Sequence, residues 1–316
     1  MSKTYLKSDH FNGGGSVIWI DLVSPTDDEK KLVEKRTGVN IPSVEELSEI
    51  ESSSRLAVDR DLITLSTPVV AQGDGPDAFL SPVGFILTKR FIVSIRFAEL
   101  AAFTSVAKLI RGDEHLRTSS GVFIALLEAF VDRGADVLER LGADLDKVSR
   151  SVFRGDVSQR RHAVRSNRSL RRVLSIVGAT GDRLSLARDA LLGFGRIAQF
   201  VATLEQDWFE PEFKARFAAI AKDVGSLNDE GQLSNKVQFL LDAVLGFISI
   251  EQNDLFRVLT VVSVVGIPPT LVAGIYGMNF RFMPELAWSW GYPFALAVIV
   301  LSAVLPLAWF KWRGWL

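Results

Sequence analysis

The sequence contains no cysteine and only three histidines, His10, His115 and His162, far apart along its 316 residues. Disulfide frameworks, thiolate zinc sites and cysteine nucleophiles are therefore excluded. A soft-metal cage or a Ser-His-Asp centre is hard to assemble from the same inventory. A phosphate loop is missing as well. Gly13-Gly14-Gly15 precedes a strand rather than joining strand to helix, and no Lys-Ser/Thr follows it, so it reads as a linker and no nucleotide is expected. Met1 to His10 lacks an apolar core. No cleavable signal is expected there, and the front of the chain is expected to stay in the cytoplasm.

Charge is also missing, from one region in particular. The last 62 residues carry only Arg257, Arg281, Glu285, Lys311 and Arg313, so the net charge of −1 averages two unlike regions. Val258–Tyr276 and Tyr292–Phe310 are charge-free runs of 19 residues each, separated by 15 residues. At about 1.5 Å per residue each run covers roughly 28 Å, the thickness of a bilayer core. Two buried helices of a soluble protein could match the composition. Two such runs so close together favour a membrane hairpin.

Orientation follows from the flanks. Arg257 precedes the first run, and Lys311 and Arg313 follow the second. Basic ends mark the cytoplasmic side, so both termini are expected inside and the loop 277–291 outside. Trp288, Trp290 and Tyr292 would anchor the outer interface, and Trp309, Trp312 and Trp315 the inner one.

The front of the chain reads as a small sheet followed by long helices. Val17–Leu22 is expected to be a strand, with Ser24 capping a helix and Pro25 at its first position. Ser43-x-x-Glu46 is a capping box for the next helix. Leu62–Val70 is another strand, and Val83–Leu87 with Phe91–Phe97 form a hairpin around Thr88-Lys89-Arg90. From about Glu99 the pattern is helical. Arg150 to Arg172 holds eight arginines and one acid, Asp156. With little aromatic interleaving it reads as a solvated or lipid-facing surface, and no nucleic-acid partner is expected.

The most informative pattern lies on the helix that enters the first run. Steps of seven from Asn228 meet Asn235, Asp242, Ser249, Phe256, Ser263, Thr270 and Gly277; steps from Gln232 meet Phe239, Gly246, Asn253, Thr260, Ile267 and Gly274. The two series interleave into one seam of a long helix. It is polar or small where an ordinary coiled coil is apolar. Such a seam can serve close helix packing or line a hydrated path. Its continuity, with Asp242 and Asn253 at the approach, favours the path. Two spans cannot enclose a pore, so several copies must share an axis. Phe256 and Leu259 offer an apolar constriction near the inner entrance. No charged residue of the seam lies within the span, which suits a cation that keeps its water, as Mg²⁺ does.

Tyr276-Gly277-Met278-Asn279-Phe280, then Met283-Pro284-Glu285-Leu286, Trp290-Gly291-Tyr292-Pro293 and the tail Lys311-Trp312-Arg313-Gly314-Trp315-Leu316 resemble the CorA magnesium/cobalt transporter family. Ile18-Trp19-Ile20-Asp21-Leu22 with Pro25 extends the resemblance to the front of the chain. It implies a non-enzymatic divalent-cation channel in a bacterial-type inner membrane, carrying Mg²⁺ and also Co²⁺ or Ni²⁺. It further implies a homopentamer with an α/β funnel and one pore-lining helix per copy, driven by membrane potential and gated by cytoplasmic Mg²⁺. Gly277, Met278 and Asn279 would form the selectivity ring. Asp242, Asn253 and Thr270 match pore-facing positions, and Thr260, Ser263, Ile267 and Gly274 complete the seam. Phe256 and Leu259 match the hydrophobic gate, and Glu285 the outer loop that gathers cations. Asp223 is a candidate for a regulatory metal. The alternative within the family is proton-coupled Zn²⁺ transport of the ZntB type.

The expected organisation is thus an α/β/α domain over 1–205, a stalk helix over 206–257, a transmembrane helix over 258–276 and an outer loop over 277–291. A second span over 292–310 and a basic tail over 311–316 complete it.

Overall fold

The computed structural model describes residues 2–4, 17–49, 55–72, 78–153, 167–229, 232–279 and 283–315. Gly13-Gly14-Gly15 and most of the arginine-rich stretch lie outside them. The chain divides into two compact units, one of residues 1–155 with 173–241 and one of 156–172 with 242–316. This division differs from the boundaries expected at 205 and 257. The segment between those positions is helical over Pro211–Asp229 and again from Gln232, and residues 230 and 231 lie outside the described residues.

The first unit holds a six-stranded mixed sheet. Its strands are β1 (Ser2–Thr4), β2 (Trp19–Val23), β3 (Leu56–Asp59), β4 (Leu62–Ala71), β5 (Phe79–Leu87) and β6 (Ile92–Arg96), in spatial order β1-β2-β6-β5-β4-β3. Only β2 and β6 run parallel. The period-two alternation of each strand sends side chains to two faces. On one face Trp19, Ile63, Leu65, Val83, Phe85 and Ile92 join the main core with α3 (Ala101–Gly112), α4 (Ser119–Phe153), α5 (Asn167–Thr203) and α6 (Pro211–Asp229). On the other, Leu22, Ile86, Val93 and Ile95 pack with Val33 of α1 (Asp27–Thr37) and Leu47 of α2 (Val44–Ser48).

Helix α1 starts later than the sequence pattern suggested. Ser24 has φ +43° and donates its N–H to the Arg96 carbonyl at 2.8 Å, so it still belongs to the end of β2. The cap is Thr26, in a capping box with Glu29. Both Ser24 and Thr26 are plausible caps by residue type, but only Thr26 has a glutamate three positions on, long enough to reach back to the cap N–H; Ser24 has the shorter Asp27. The Ser43–Glu46 box stands as expected.

Two parts of this unit hold the layers together. Gly193 of α5 lies against buried Thr67 of β4, where an added Cβ would fall 1.9 Å from Thr67 Oγ1 and 3.2 Å from its Cβ. Neither neighbour is the free end of a flexible chain. Gly193→Ala should therefore lower stability by about 1–3 kcal/mol, measured as an earlier thermal midpoint, and Thr67→Ser should not rescue it because the hydroxyl remains.

The second feature is a polar network inside the core. Trp19 Nε1 donates to Ser94 Oγ at 2.9 Å, Ser94 Oγ donates to Asp21 Oδ1 at 2.9 Å, and Arg96 donates to Asp21 through Nε and Nη2, the latter at 2.9 Å. Asp21 and Arg96 are essentially inaccessible to solvent. Burial pulls the Arg96 pKa down, yet its hydrogen bonds and charge pairing with Asp21 and Glu99 outweigh this and hold it above the ordinary arginine value. The guanidinium also lies 4.6 Å from the Phe103 ring centre.

In the second unit, α7 (Gln232–Tyr276) continues from residue 242 into the first apolar run, and α8 (Gly291–Trp312) holds the second. A short 3-10 turn, Pro284–Ala287, lies between them. Both helices are long and apolar enough to cross a membrane. Their side chains are exposed nearly all round; Val258, Leu259, Val262, Leu271, Leu305 and others are each about half accessible or more. In water so much unpartnered apolar surface would be prohibitive, so lipid or further protein must cover it.

Candidate functional site

The seam residues fall on one continuous helix from Gln232 onward, α7. Asn228 belongs to α6, and residues 230 and 231 lie outside the described set. Ser263, Ile267, Thr270, Gly274 and Met278 line one open groove along α7. Spacings of four, three, four and four keep them on one side of a helix. Thr260, Leu259, Phe256, Asn253 and Asp242 continue below the groove without lining it, and all five are exposed in the single chain.

Val262, Gly266, Leu271 and Ile275 also line the groove, and the sequence pattern did not single them out. The seam is wider than a two-position repeat. In a helix hydrophobic all round, flanking residues carry no contrast that would mark them, and only Gly266 has a signal, its lack of a side chain.

Three hydroxyls of the seam are fixed by the helix itself, the first being Ser249 Oγ, which donates to the Leu245 carbonyl at 3.0 Å. Thr260 Oγ1 donates to the Phe256 carbonyl at 2.8 Å, and Thr270 Oγ1 donates to the Gly266 carbonyl at 2.9 Å. Each oxygen keeps its lone pairs for an outside donor while its hydrogen is committed. Pro268 and Pro269 stand inside α7. They have no N–H for the carbonyls of Val264 and Val265, four positions back, so that turn of the span carries further acceptors without an intrahelical donor.

The end of α7 tightens into a last turn. Gly277 N–H bonds the Ala273 carbonyl at 3.0 Å and Met278 N–H the Ile275 carbonyl at 3.2 Å. A Cβ at Gly277 would come within 3.2 Å of the Ala273 oxygen. Gly277, Met278 and Asn279 are exposed where the helix gives way to the loop. Glu285 lies in the 3-10 turn, and its side chain is outside the described residues.

Asp223 belongs to α6, in the first unit. Its charge is one of three that act on Asp132 of α4, together with Glu128 and Asp136. Arg216 binds Glu128 through two hydrogen bonds, at 2.9 and 2.6 Å. Among the described residues no group of three or more His, Cys, Asp or Glu side chains is placed to hold a metal ion. Desolvation first, and then these like charges, raise the Asp132 pKa above its ordinary value. A raised carboxyl contributes stability that is complete below the unfolded pKa and is lost as pH rises through the folded one. Asp132→Asn should thus raise the thermal midpoint at neutral pH by an amount equivalent to about 0.5 kcal/mol or less. Melting curves should show the gain vanish at pH values below the ordinary aspartate range.

Comparison with known proteins places this arrangement. The sequence profile of the CorA-like Mg2+ transporter proteins matches residues 14–312. The magnesium transport protein CorA of Pasteurella multocida is 33% identical over 303 residues, covering 95% of this chain and 92% of its own. The structure of the CorA magnesium transporter from Methanocaldococcus jannaschii superposes with a TM-score of 0.75 at 19% identity, over 94% of this chain and 91% of that one. The ZntB cytoplasmic domain from Vibrio parahaemolyticus shares the fold more distantly, with a TM-score of 0.50 at 12% identity over 74% of this chain and 86% of its own. With a profile match over nearly its whole length and a relative one-third identical, the chain belongs to the CorA-like family of divalent-cation transporters, which are not enzymes.

Proposed function

We propose that the chain is a Mg²⁺ uptake channel of the inner membrane, formed by five copies with α7 of each around a central path. The observation that carries this reading is the commitment of the Thr260 and Thr270 hydroxyl hydrogens to carbonyls of their own helix. An aquated Mg²⁺ turns its water oxygens toward the metal and its water hydrogens outward. It holds those waters tightly, so the wall it meets must supply acceptors rather than ligands that strip the shell. Lone pairs at Thr260 and Thr270, and the side-chain oxygens of Asn253 and Asn279, are such acceptors. Asp242 draws the cation along on the cytoplasmic side.

In this reading both termini are cytoplasmic, following the basic flanks Arg257, Lys311 and Arg313. Gly277, Met278 and Asn279 form the outer ring, with Glu285 nearby in the loop. Phe256 and Leu259, 67% and 62% exposed in the single chain, meet their counterparts at the axis and close the path by excluding water. Membrane potential contributes about 4.6 kcal/mol per 100 mV to a divalent ion, enough to drive uptake without a nucleotide. The feedback ion would sit between copies, where Asp223 and the carboxylates around Asp132 can be completed by a neighbour.

The test is flux into reconstituted vesicles, comparing Mg²⁺, Co²⁺, Ni²⁺ and Zn²⁺ with potential and pH gradient set independently. Potential-driven Mg²⁺ flux indifferent to the proton gradient is the expected result. Zn²⁺ flux that follows the proton gradient with the potential clamped would replace this reading with a ZntB-like one.

A further inference from the structure

The inner end of α7 is tied to the C-terminal tail. Helix α8 ends in a turn in which Gly314, at φ +71°, donates its N–H to the Lys311 carbonyl at 3.1 Å, and Trp315 donates to the Phe310 carbonyl at 2.9 Å. Glycine tolerates the left-handed conformation that reverses the chain here. The reversal stacks Trp315 on Phe310, with ring centres 5.4 Å apart, and Phe310 is one of the few buried side chains of this unit. Arg257 of α7 donates through Nη2 to the Gly314 carbonyl and lies 5.4 Å from the Trp315 ring centre. Among the described residues the tail supplies these contacts of Arg257, and its Nε is buried without a hydrogen-bond partner.

We propose that Arg257 is a positioning residue for the inner constriction, holding the rotation of α7 through its contact with Gly314 and Trp315. Arg257 follows Phe256 directly and precedes Leu259 by two positions. Successive residues point about 100° apart around a helix. The rotational setting that gives Arg257 to the tail keeps Phe256 and Leu259 on the seam side. A turn of the helix by one residue step would exchange Phe256 for a guanidinium, placing a fixed positive charge on a cation path. The tail therefore both presents the apolar constriction and withholds the charge.

This inference rests on the path proposed above, and the experiment separates the two. The natural absence of cysteine provides a clean background for Thr260→Cys and Val261→Cys, neighbours on and off the seam. In reconstituted full-length protein, a water-soluble cationic thiol reagent should label position 260 at least about tenfold faster than 261. Removing a charge-assisted contact of this strength should change a rotational preference by about tenfold. Trp315→Ala and Arg257→Met should each bring the two rates close together, while Trp315→Phe, which keeps a ring for the guanidinium, should preserve most of the difference. The double variant should behave as either single one. Size-exclusion profiles identify any variant that no longer assembles, and the Trp315→Phe rescue distinguishes positioning from loss of fold. A 260-over-261 preference that survives both Trp315→Ala and Arg257→Met in an assembled protein would overturn the proposal. Equal labelling of the parent pair would instead overturn the path reading, and the positioning role with it.

Discussion

Asn279→Ala is expected to reduce Mg²⁺ flux by roughly two orders of magnitude, with the protein still assembled and inserted. The residue stands exposed at the point where α7 gives way to the loop, after a last turn closed by the bonds of Gly277 and Met278. Its amide oxygen is a side-chain acceptor just beyond the end of the seam. In a ring of identical copies, one substitution removes every member at once, and hydrogen bonds to a charged partner contribute about 1.5–3 kcal/mol each. The loss should fall mainly on Mg²⁺, whose shell cannot be replaced at leisure, so vesicle flux measured for several cations should show altered ratios as well as a lower rate. Asn279→Asp keeps the acceptor and adds charge; it should bind the ion more firmly and pass it more slowly. Undiminished Mg²⁺ flux in Asn279→Ala would remove the outer ring from the mechanism.

The largest effect on stability is expected at Asp21. Asp21→Ala should destabilise the first unit by about 3–5 kcal/mol, because it leaves the buried Arg96 guanidinium without its two-point partner. Glu99 remains within 3.1 Å of Nη1, but it is largely solvated and cannot replace a carboxylate held between Ser94 and Arg96. Arg96→Met in the Asp21→Ala background should recover much of the loss, since an apolar pair has no orphaned charge to bury. Denaturant unfolding of the two singles and the double tests this directly. If Asp21→Ala unfolds at the parent midpoint, the network contributes nothing measurable.

The same network shows where sequence reading stopped. Ile18-Trp19-Ile20-Asp21-Leu22 is plainly a strand, and an acid between two apolar residues would ordinarily mark its solvent side. Here it marks the core, because helices cover both faces and the compensating arginine lies 75 residues away on β6. Nothing local announces such a partner. The Ser43–Glu46 capping box was legible because its chemistry is complete within four residues; the Thr26–Glu29 box is as short, but Ser24 misled because a proline follows it. The seam on α7 was readable from its period of seven. Its neighbours Val262 and Leu271 were not, since an all-apolar span offers no contrast from which to read a face. Arg257 appeared in the sequence only as a topology signal, and its partner is a carbonyl, a group every residue has.

The hydroxyl geometry on α7 also bears on proton movement. A side chain that joins a proton relay must accept a proton on one side and release one on the other. Thr260 and Thr270 have their hydrogens turned into the helix, and from Ser263 to Met278 the seam has no titratable side chain. Walls of this kind take no part in a relay, so along the proposed path any proton would have to travel through the waters alone, with no side chain of this stretch to store or hand it on.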